Sequence, residues 1–281
     1  MREITLGQYY PVSSVIHRLD PRIKLTLMII YIVMTFFINT FIGYGVVLVL
    51  LLFTIILSKV PLLKVLKSLK MILFLVFFTV IMSLLFYNGK ESDLLWGWKF
   101  IKIYKAGLIN AGKMALRLIF LVLGPTLLTY TTTPVQLTDG LESLLKPLKV
   151  IKFPVHELAI IMSIALRLIP TLVEETDKIT SAQKARCANF DSGNIFKRAK
   201  AMIPVLIPLF VSSFRRADEL ADAMDSRCYR GAKGRTRMKK MKLHWRDLVA
   251  FLVMAIFFVA ILWLRYNFFP FIDLNAFAWI V

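Results

Sequence analysis

Five apolar stretches, each close to the length that crosses lipid, punctuate this 281-residue sequence: 25–40, 41–58, 71–87, 107–130 and 248–264. A helix needs about 20 mainly apolar residues to span a hydrocarbon core of roughly 30 Å. The first two stretches are separated only by a polar turn around Asn39, Thr40 and Gly43, and the fourth contains Lys113, Arg117 and Pro125. Two shorter runs, 158–173 and 201–214, are interrupted by Arg167 and Pro170 and by Pro204 and Pro208. Their length suits helices lying at or just under the membrane. With 58% hydrophobic residues and a mean hydropathy of +0.70, the chain is neither an ordinary soluble domain nor disordered. The sequence predicts an all-α integral membrane protein with about five transmembrane helices.

Charge then orients the spans. The chain carries 36 Lys and Arg against 17 Asp and Glu, a formal net charge of +19. The N-terminus (Arg2, Arg18, Arg22, Lys24), the second loop (Lys59, Lys64, Lys67, Lys70) and residues 131–246, with more than half of all basic residues, fall on one side of a five-span topology. The positive-inside rule makes that side cytoplasmic, leaving the C-terminus outside. Against this stands the external loop 88–105, which holds four lysines. Were 158–173 and 201–214 both spans, the basic segment between them would face outside. Because the basic residues alternate with apolar runs, their partner is membrane lipid and not nucleic acid. The first twenty residues lack the continuous apolar stretch of a signal peptide. Cys187 and Cys228 form no CxxC pair and no disulfide framework, in keeping with a reducing compartment.

The organisation expected is a membrane domain over 1–130, a cytoplasmic or interfacial domain over 131–246 and a last span within 247–281. Residues 131–246 are too many for a structureless loop. Thr133-Pro134 reads as N-cap and first residue of a helix, with Leu137, Leu141, Leu144, Leu145 and Leu148 at helical spacing. A second helix runs from Val155 to about Ala188, apolar first (Leu158, Ile160, Ile161, Ile164, Leu168) and charged later (Glu174, Glu175, Asp177, Lys178, Lys184, Arg186). Asn189, Asp191, Ser192 and Gly193 break it. The third repeats the plan from Ile195 to about Tyr229, with Ile203, Val205, Leu206, Leu209 and Phe210 ahead of Arg215, Arg216, Asp218, Glu219, Asp222 and Asp225. The basic stretch 233–242 leads into the last span. Each charged half ends in a small residue, an arginine and a cysteine: Ala185-Arg186-Cys187 and Ser226-Arg227-Cys228, 41 positions apart. An arginine near a helix C-terminus also simply suits the macrodipole. Paired on two parallel architectures, the triplets point instead to two arms, each offering one fork-shaped guanidinium to a groove.

At this point the sequence resembles a known family, the transmembrane T component of energy-coupling factor (ECF) vitamin transporters. The resemblance lies in Gly7-Gln8-Tyr9-Tyr10-Pro11, Ser14 and His17-Arg18-Leu19-Asp20-Pro21-Arg22-Ile23-Lys24-Leu25, then Thr132-Thr133-Pro134, Ala165-Leu166-Arg167-Leu168-Ile169-Pro170 and both arginine triplets. It implies a scaffold in a bacterial or archaeal cell membrane that joins two cytoplasmic ABC-type ATPases to a small substrate-binding S component. Two long coupling helices would cross below the membrane and dock on the ATPases through Ala185, Arg186 and Cys187 and through Ser226, Arg227 and Cys228. Cysteine stands twice where that family usually has glycine, and Ser226 where it has alanine. Ile161, Ile164, Leu168, Leu206 and Phe210 would form the platform for the S component.

Other chemistry is sparse. His17, His156 and His244 share no metal-ligand spacing, and no P-loop exists, so neither metal nor cofactor is expected and ATP belongs to partner subunits. His17 reads as ordering the entry to the membrane, with Asp20 capping the first span ahead of Pro21. Lys113 and Arg117, on one helix face, read either as lining a polar path or as snorkelling. A secondary transporter would call for midplane polar sites and internal repeats, and Pro125 is the only hint of either. An integral membrane enzyme would need clustered acids or nucleophiles that the spans lack. Neither rival accounts for the long insertion.

Overall fold

In the computed structural model of the chain, the residues described are 9–86, 94–98, 101–151, 153–188, 190, 194–231 and 243–268. Tyr87, Gly7, Gln8, the break at Asn189 and 191–193, and the basic stretch 233–242 lie outside them. The order is α1 (Pro21–Phe36), α2 (Phe41–Ser58), α3 (Leu62–Phe86), β1 (Leu94–Trp98), β2 (Ile101–Tyr104), α4 (Lys105–Thr131), α5 (Pro134–Leu145), a 3-10 turn (Lys146–Ile151), α6 (Val155–Ala185), α7 (Ile195–Asp225) and α8 (Trp245–Phe268). The architecture is that of an all-α integral membrane protein. The two strands are a local addition, an antiparallel pair in which Trp98 faces Ile101 and Leu94 faces Tyr104 around one bulge.

By length and composition, four described helices suffice to cross a membrane: α2, α4, α6 and the 245–266 part of α8. The two halves of α3, bent by 55° at Met71, make a fifth. The number matches expectation but the membership differs. The first stretch yields a helix of only 16 residues, about 24 Å long. It stops at Phe36 because the Arg117 guanidinium donates to the carbonyl of Ile38 at 2.8 Å and to Asn39 Oδ1 at 3.2 Å, holding both out of the helix. Thr40 then caps α2 by accepting from the Gly43 amide. Arg117 is thus a clamp on the α1–α2 connection, not the wall of a polar path, and Lys113 sits over the Phe41 ring. Conversely α6 enters the set because it runs unbroken through 31 residues whose first part is apolar.

Contacts divide the described chain into two units, one made of residues up to 140 with 243–268, the other of residues 141–231. In the first, α4 packs against α1, α2 and α3, and α8 packs against α1 and α2. Its core joins Tyr31, Met34, Tyr44, Val47, Phe120 and Leu127, among others. Lipid offers helices no hydrophobic reason to associate, so close packing and interhelical hydrogen bonds must hold them. Both are present at one point. The Tyr31 ring lies on Gly124, where a Cβ would stand 2.6 Å from Cδ1, and its hydroxyl donates to the Phe120 carbonyl at 2.8 Å. Gly140 of α5 likewise leaves its space to Pro21 and Leu25 of α1.

The termini of these helices are tied by buried polar groups. Asp20 caps α1, accepting from the Arg22 amide, and its own amide donates to Asp247 Oδ1 at 2.9 Å. The second Asp247 oxygen accepts from His244 N at the start of α8. Lys24, 5% exposed, donates to Thr131 O at 2.8 Å, His17 O at 3.2 Å and Thr132 Oγ1 at 3.3 Å. It thereby satisfies the last carbonyl of α4, Thr131 O, which no helical N–H can reach. His17 Nε2 donates to Tyr10 O at 3.1 Å, so Nδ1 must accept from the Ser14 hydroxyl at 2.7 Å. The Tyr10 amide in turn donates to Tyr130 O. The stretch His17–Lys24 therefore ties the N-terminal segment to α1, α4 and α8.

Burial lowers the His17 pKa below its ordinary 6.5, and Lys24 lowers it further against an upward pull from the Tyr10 carbonyl. The fold thus prefers neutral His17. Stability is full above pH 6.5, where the unfolded imidazole is also neutral, and is lost as pH falls through the depressed folded value. His17→Gln is expected to lower the melting temperature at pH 7.5 and to narrow that deficit at pH 5.5. Thermal unfolding of both chains in detergent checks it; an equal deficit at both pH values would refute it.

Candidate functional site

In the second unit, α6 and α7 are both 31 residues long and pack on one another. Ahead of them α5 opens with a capping box: Gln136 N donates to Thr133 Oγ1, and Thr133 N to Gln136 Oε1. The expected continuation to Leu148 stops at Leu145, giving way to the 3-10 turn around Pro147. His156 at the start of α6 pairs with buried Glu142 at 3.2 Å.

A brace on Glu175 fixes how the two long helices meet. One Glu175 oxygen accepts from the Ser212 hydroxyl and the other from the Arg216 guanidinium at 3.1 Å. Farther along, Gln183 Nε2 reaches Pro204 O at 3.5 Å. That carbonyl lacks its helical donor because residue 208 is also proline. Contacts climb α6 as they descend α7, so the helices run antiparallel. Arg186 stands about 16 Å beyond Glu175, and Arg227 about 22 Å beyond Ser212 in the opposite sense, so the tips are on the order of 40 Å apart. Glu175 and Arg216, read from sequence only as part of the two charged halves, are themselves 41 positions apart, the one signal that pairs them.

Both tips are built alike. In α6, Ala188 N donates to Gln183 O and Cys187 N to Lys184 O; in α7, Tyr229 N donates to Met224 O and Cys228 N to Asp225 O. This is the Schellman pattern at both ends, with the arginine as C-cap and the cysteine next. Cys187 has φ +65° and Cys228 φ +56°. Left-handed backbone is what glycine adopts freely, which accounts for a preference for glycine there without any close approach by a partner. Ala185, Arg186, Cys187, Ser226, Arg227 and Cys228 are all exposed. Left-handed backbone costs a side-chain-bearing residue about 1 kcal/mol or more, so Cys187→Gly and Cys228→Gly are each expected to slow amide exchange at Ala188 and Tyr229 about fivefold. Unchanged or faster exchange would refute it.

Of the other residues singled out, Ile161, Leu206 and Phe210 are 60%, 44% and 61% exposed, while Ile164 and Leu168 are half-buried. The antiparallel packing does not bring them together. Ile161, Ile164 and Leu168 lie about 10–21 Å from Glu175 on one side of the brace, beside exposed Met162. Leu206 and Phe210 lie about 3–9 Å from Ser212 on the other, beside exposed Met202, Ile203, Ile207, Val211 and Phe214. Among the described residues no group of three or more His, Cys, Asp or Glu is placed to hold a metal ion.

Comparison with known proteins shows the family. The family model for the cobalt transport protein CbiQ matches residues 12–238. An energy-coupling factor transporter transmembrane protein EcfT of Clostridium kluyveri is 53% identical over 89% of this chain and 92% of its own length. The EcfT of Ruminiclostridium cellulolyticum is 49% identical over 96% of this chain and the whole of its own. That of Bacillus subtilis is 43% identical over 91% and 97% respectively. With the spans of the first unit and the paired tips of the second, these matches show that the chain belongs to the EcfT family of energy-coupling factor transporter transmembrane components.

Proposed function

We propose that this T component is the non-catalytic scaffold of an ATP-driven importer. Arg186 and Arg227 dock separately on two cytoplasmic ABC-type ATPases, and the apolar surfaces around Ile161, Ile164 and Leu168 and around Leu206 and Phe210 carry a substrate-binding S component. The observation that carries this reading is the pair of matching tips on antiparallel helices. Two arginines on the order of 40 Å apart, aimed in opposite senses, suit two separate grooves and not one. The Glu175 brace is the point about which the arms turn when ATP closes the ATPases. Relative motion of the arms slides the apolar surfaces and tilts the S component, which releases its vitamin inward. Any nucleotide is bound by the partner subunits, and this chain needs no cofactor or metal of its own.

The membrane placement follows from charge. The N-terminus and residues 131–246 lie on the cytoplasmic side of a bacterial cell membrane and the C-terminus outside. Helix α6, though long enough to cross, lies at the interface with its charged half in the cytoplasm, and the short α1 makes the fifth crossing that leaves the C-terminus outside. Specificity for the vitamin rests with the S component.

A pull-down of the tagged chain from its native membrane, read by mass spectrometry, tests the proposal. Two ATPases and one or more small membrane proteins are expected. Recovery of the chain alone, with transport intact after reconstitution, would overturn it.

A further inference from the structure

We infer that the first unit binds one anionic phospholipid, its acyl chain lying in a slot between α1, α2, α4 and α8 and its phosphate on Arg246. A cavity of about 270 Å³ opens there, walled by Leu27 and Met28, Phe53, Leu128, and Ala250 and Val253. Away from its polar end the lining is almost wholly apolar, so that part of the cavity gives water few partners and suits an apolar occupant. A dry void forfeits dispersion contacts on every wall, and an acyl chain restores them.

The slot has a polar end. It is bounded there by the N-terminal segment at Ile16 and Leu19 and by Lys24 and Arg246. Those residues mark the starts of α1 and α8, and the slot reaches the ends of α2 and α4 through Ser58 and Thr131. Lys24 is not available to a ligand, since all three of its donors are taken by Thr131, His17 and Thr132. Arg246 is different. It is exposed, lines the mouth, and makes no ion pair or hydrogen bond among the described residues; neighbouring Asp247 spends both oxygens on Asp20 and His244. From Arg246 to Met254 the wall runs about 12 Å, close to the roughly 15 Å of one leaflet. A cation at the lipid-water boundary above an apolar slot one leaflet deep suits a phosphate bearing an acyl chain. This inference stands on the first unit alone and does not depend on the ATPase or S-component assignments.

The test uses the full chain reconstituted in vesicles of equal phosphatidylglycerol and phosphatidylcholine, then extracted and read by native mass spectrometry. The wild type is expected to retain one phosphatidylglycerol. Arg246→Gln should lower the ratio of bound phosphatidylglycerol to phosphatidylcholine about fivefold, while Arg265→Gln near the other end of α8 leaves it unchanged. Ala250→Phe and Val253→Phe, which fill the slot, should release both lipids without lowering the melting temperature. Equal retention of the two lipids by the wild type, or full retention by both Phe variants, would overturn the inference. Should a Phe variant lose its monodispersity, Arg246→Gln decides: an unchanged lipid ratio refutes, a lowered ratio supports. Vesicles doped with oleate separate the sources, because displacement of phosphatidylglycerol by the fatty acid would show a fatty-acid site and refute the phospholipid assignment.

Discussion

Reversing both tip arginines, Arg186→Glu with Arg227→Glu, is expected to abolish co-purification of the ATPases while leaving the chain folded. Removing one partner of a desolvated, hydrogen-bonded charge pair costs about 2–5 kcal/mol, and an inverted charge adds repulsion. One tip lost is partly rescued by the other, because two linked contacts raise the effective concentration of each. A single reversal should therefore weaken recovery and the double should end it. Stability is spared because both side chains are exposed and are held by no partner among the described residues. A glutamate at a helix C-terminus costs only about 0.3–1 kcal/mol against the macrodipole. ATPase recovery at wild-type level from the double variant, with unchanged elution on size exclusion, would refute the docking role.

The second large effect is expected at Lys24. Methionine keeps the length of the stem but removes all three donors, leaving the Thr131 and His17 carbonyls unpaired in a buried setting. It also takes the Lys24 charge from beside Asp20 and Asp247, both buried, leaving Asp20 with Arg22 at 4.0 Å. Breaking such a site costs about 3–5 kcal/mol, and the melting temperature in detergent should fall on the order of 10 °C. Lys24→Met with Asp247→Asn should lose less than the sum of the two single changes, since one uncompensated charge is removed. A melting temperature for Lys24→Met equal to the wild type would show that the tie carries no stability.

These residues also show what could be read from the chain beforehand. The Thr133-Pro134 start of α5, the Asp20 cap and the extents of α6 and α7 were legible because a side chain or a periodicity within a few residues specifies them. Three features were not. The partner of Asp20 is Asp247, 227 positions away, and no local rule names it. The early end of α1 depends on Arg117, 79 positions from Ile38. The β1–β2 pair falls in a stretch read as a charged external loop, although Leu-Leu-Trp-Gly-Trp and Ile-Lys-Ile-Tyr have the aromatic and β-branched character of strands. At the tips the sequence placed the arginines, and the backbone explains their neighbours. Cysteine occupies the left-handed position just after the C-cap, which in other sequences favours glycine. The antiparallel sense of the arms came only from the contacts of Glu175 and Gln183, which set the two arginines pointing apart.

The central claim, that each tip touches its own ATPase, is open to direct measurement because the chain's two cysteines are the tip cysteines and both are exposed. Cys228→Ser leaves a single thiol at the α6 tip and Cys187→Ser a single thiol at the α7 tip. Each is labelled with a photoreactive maleimide, the complex is assembled in its native membrane, and the adducts are identified after illumination. The account predicts one ATPase captured from Cys187 and the other from Cys228. Capture of only the S component from both tips, or no adduct from either while the ATPases still co-purify, would contradict it.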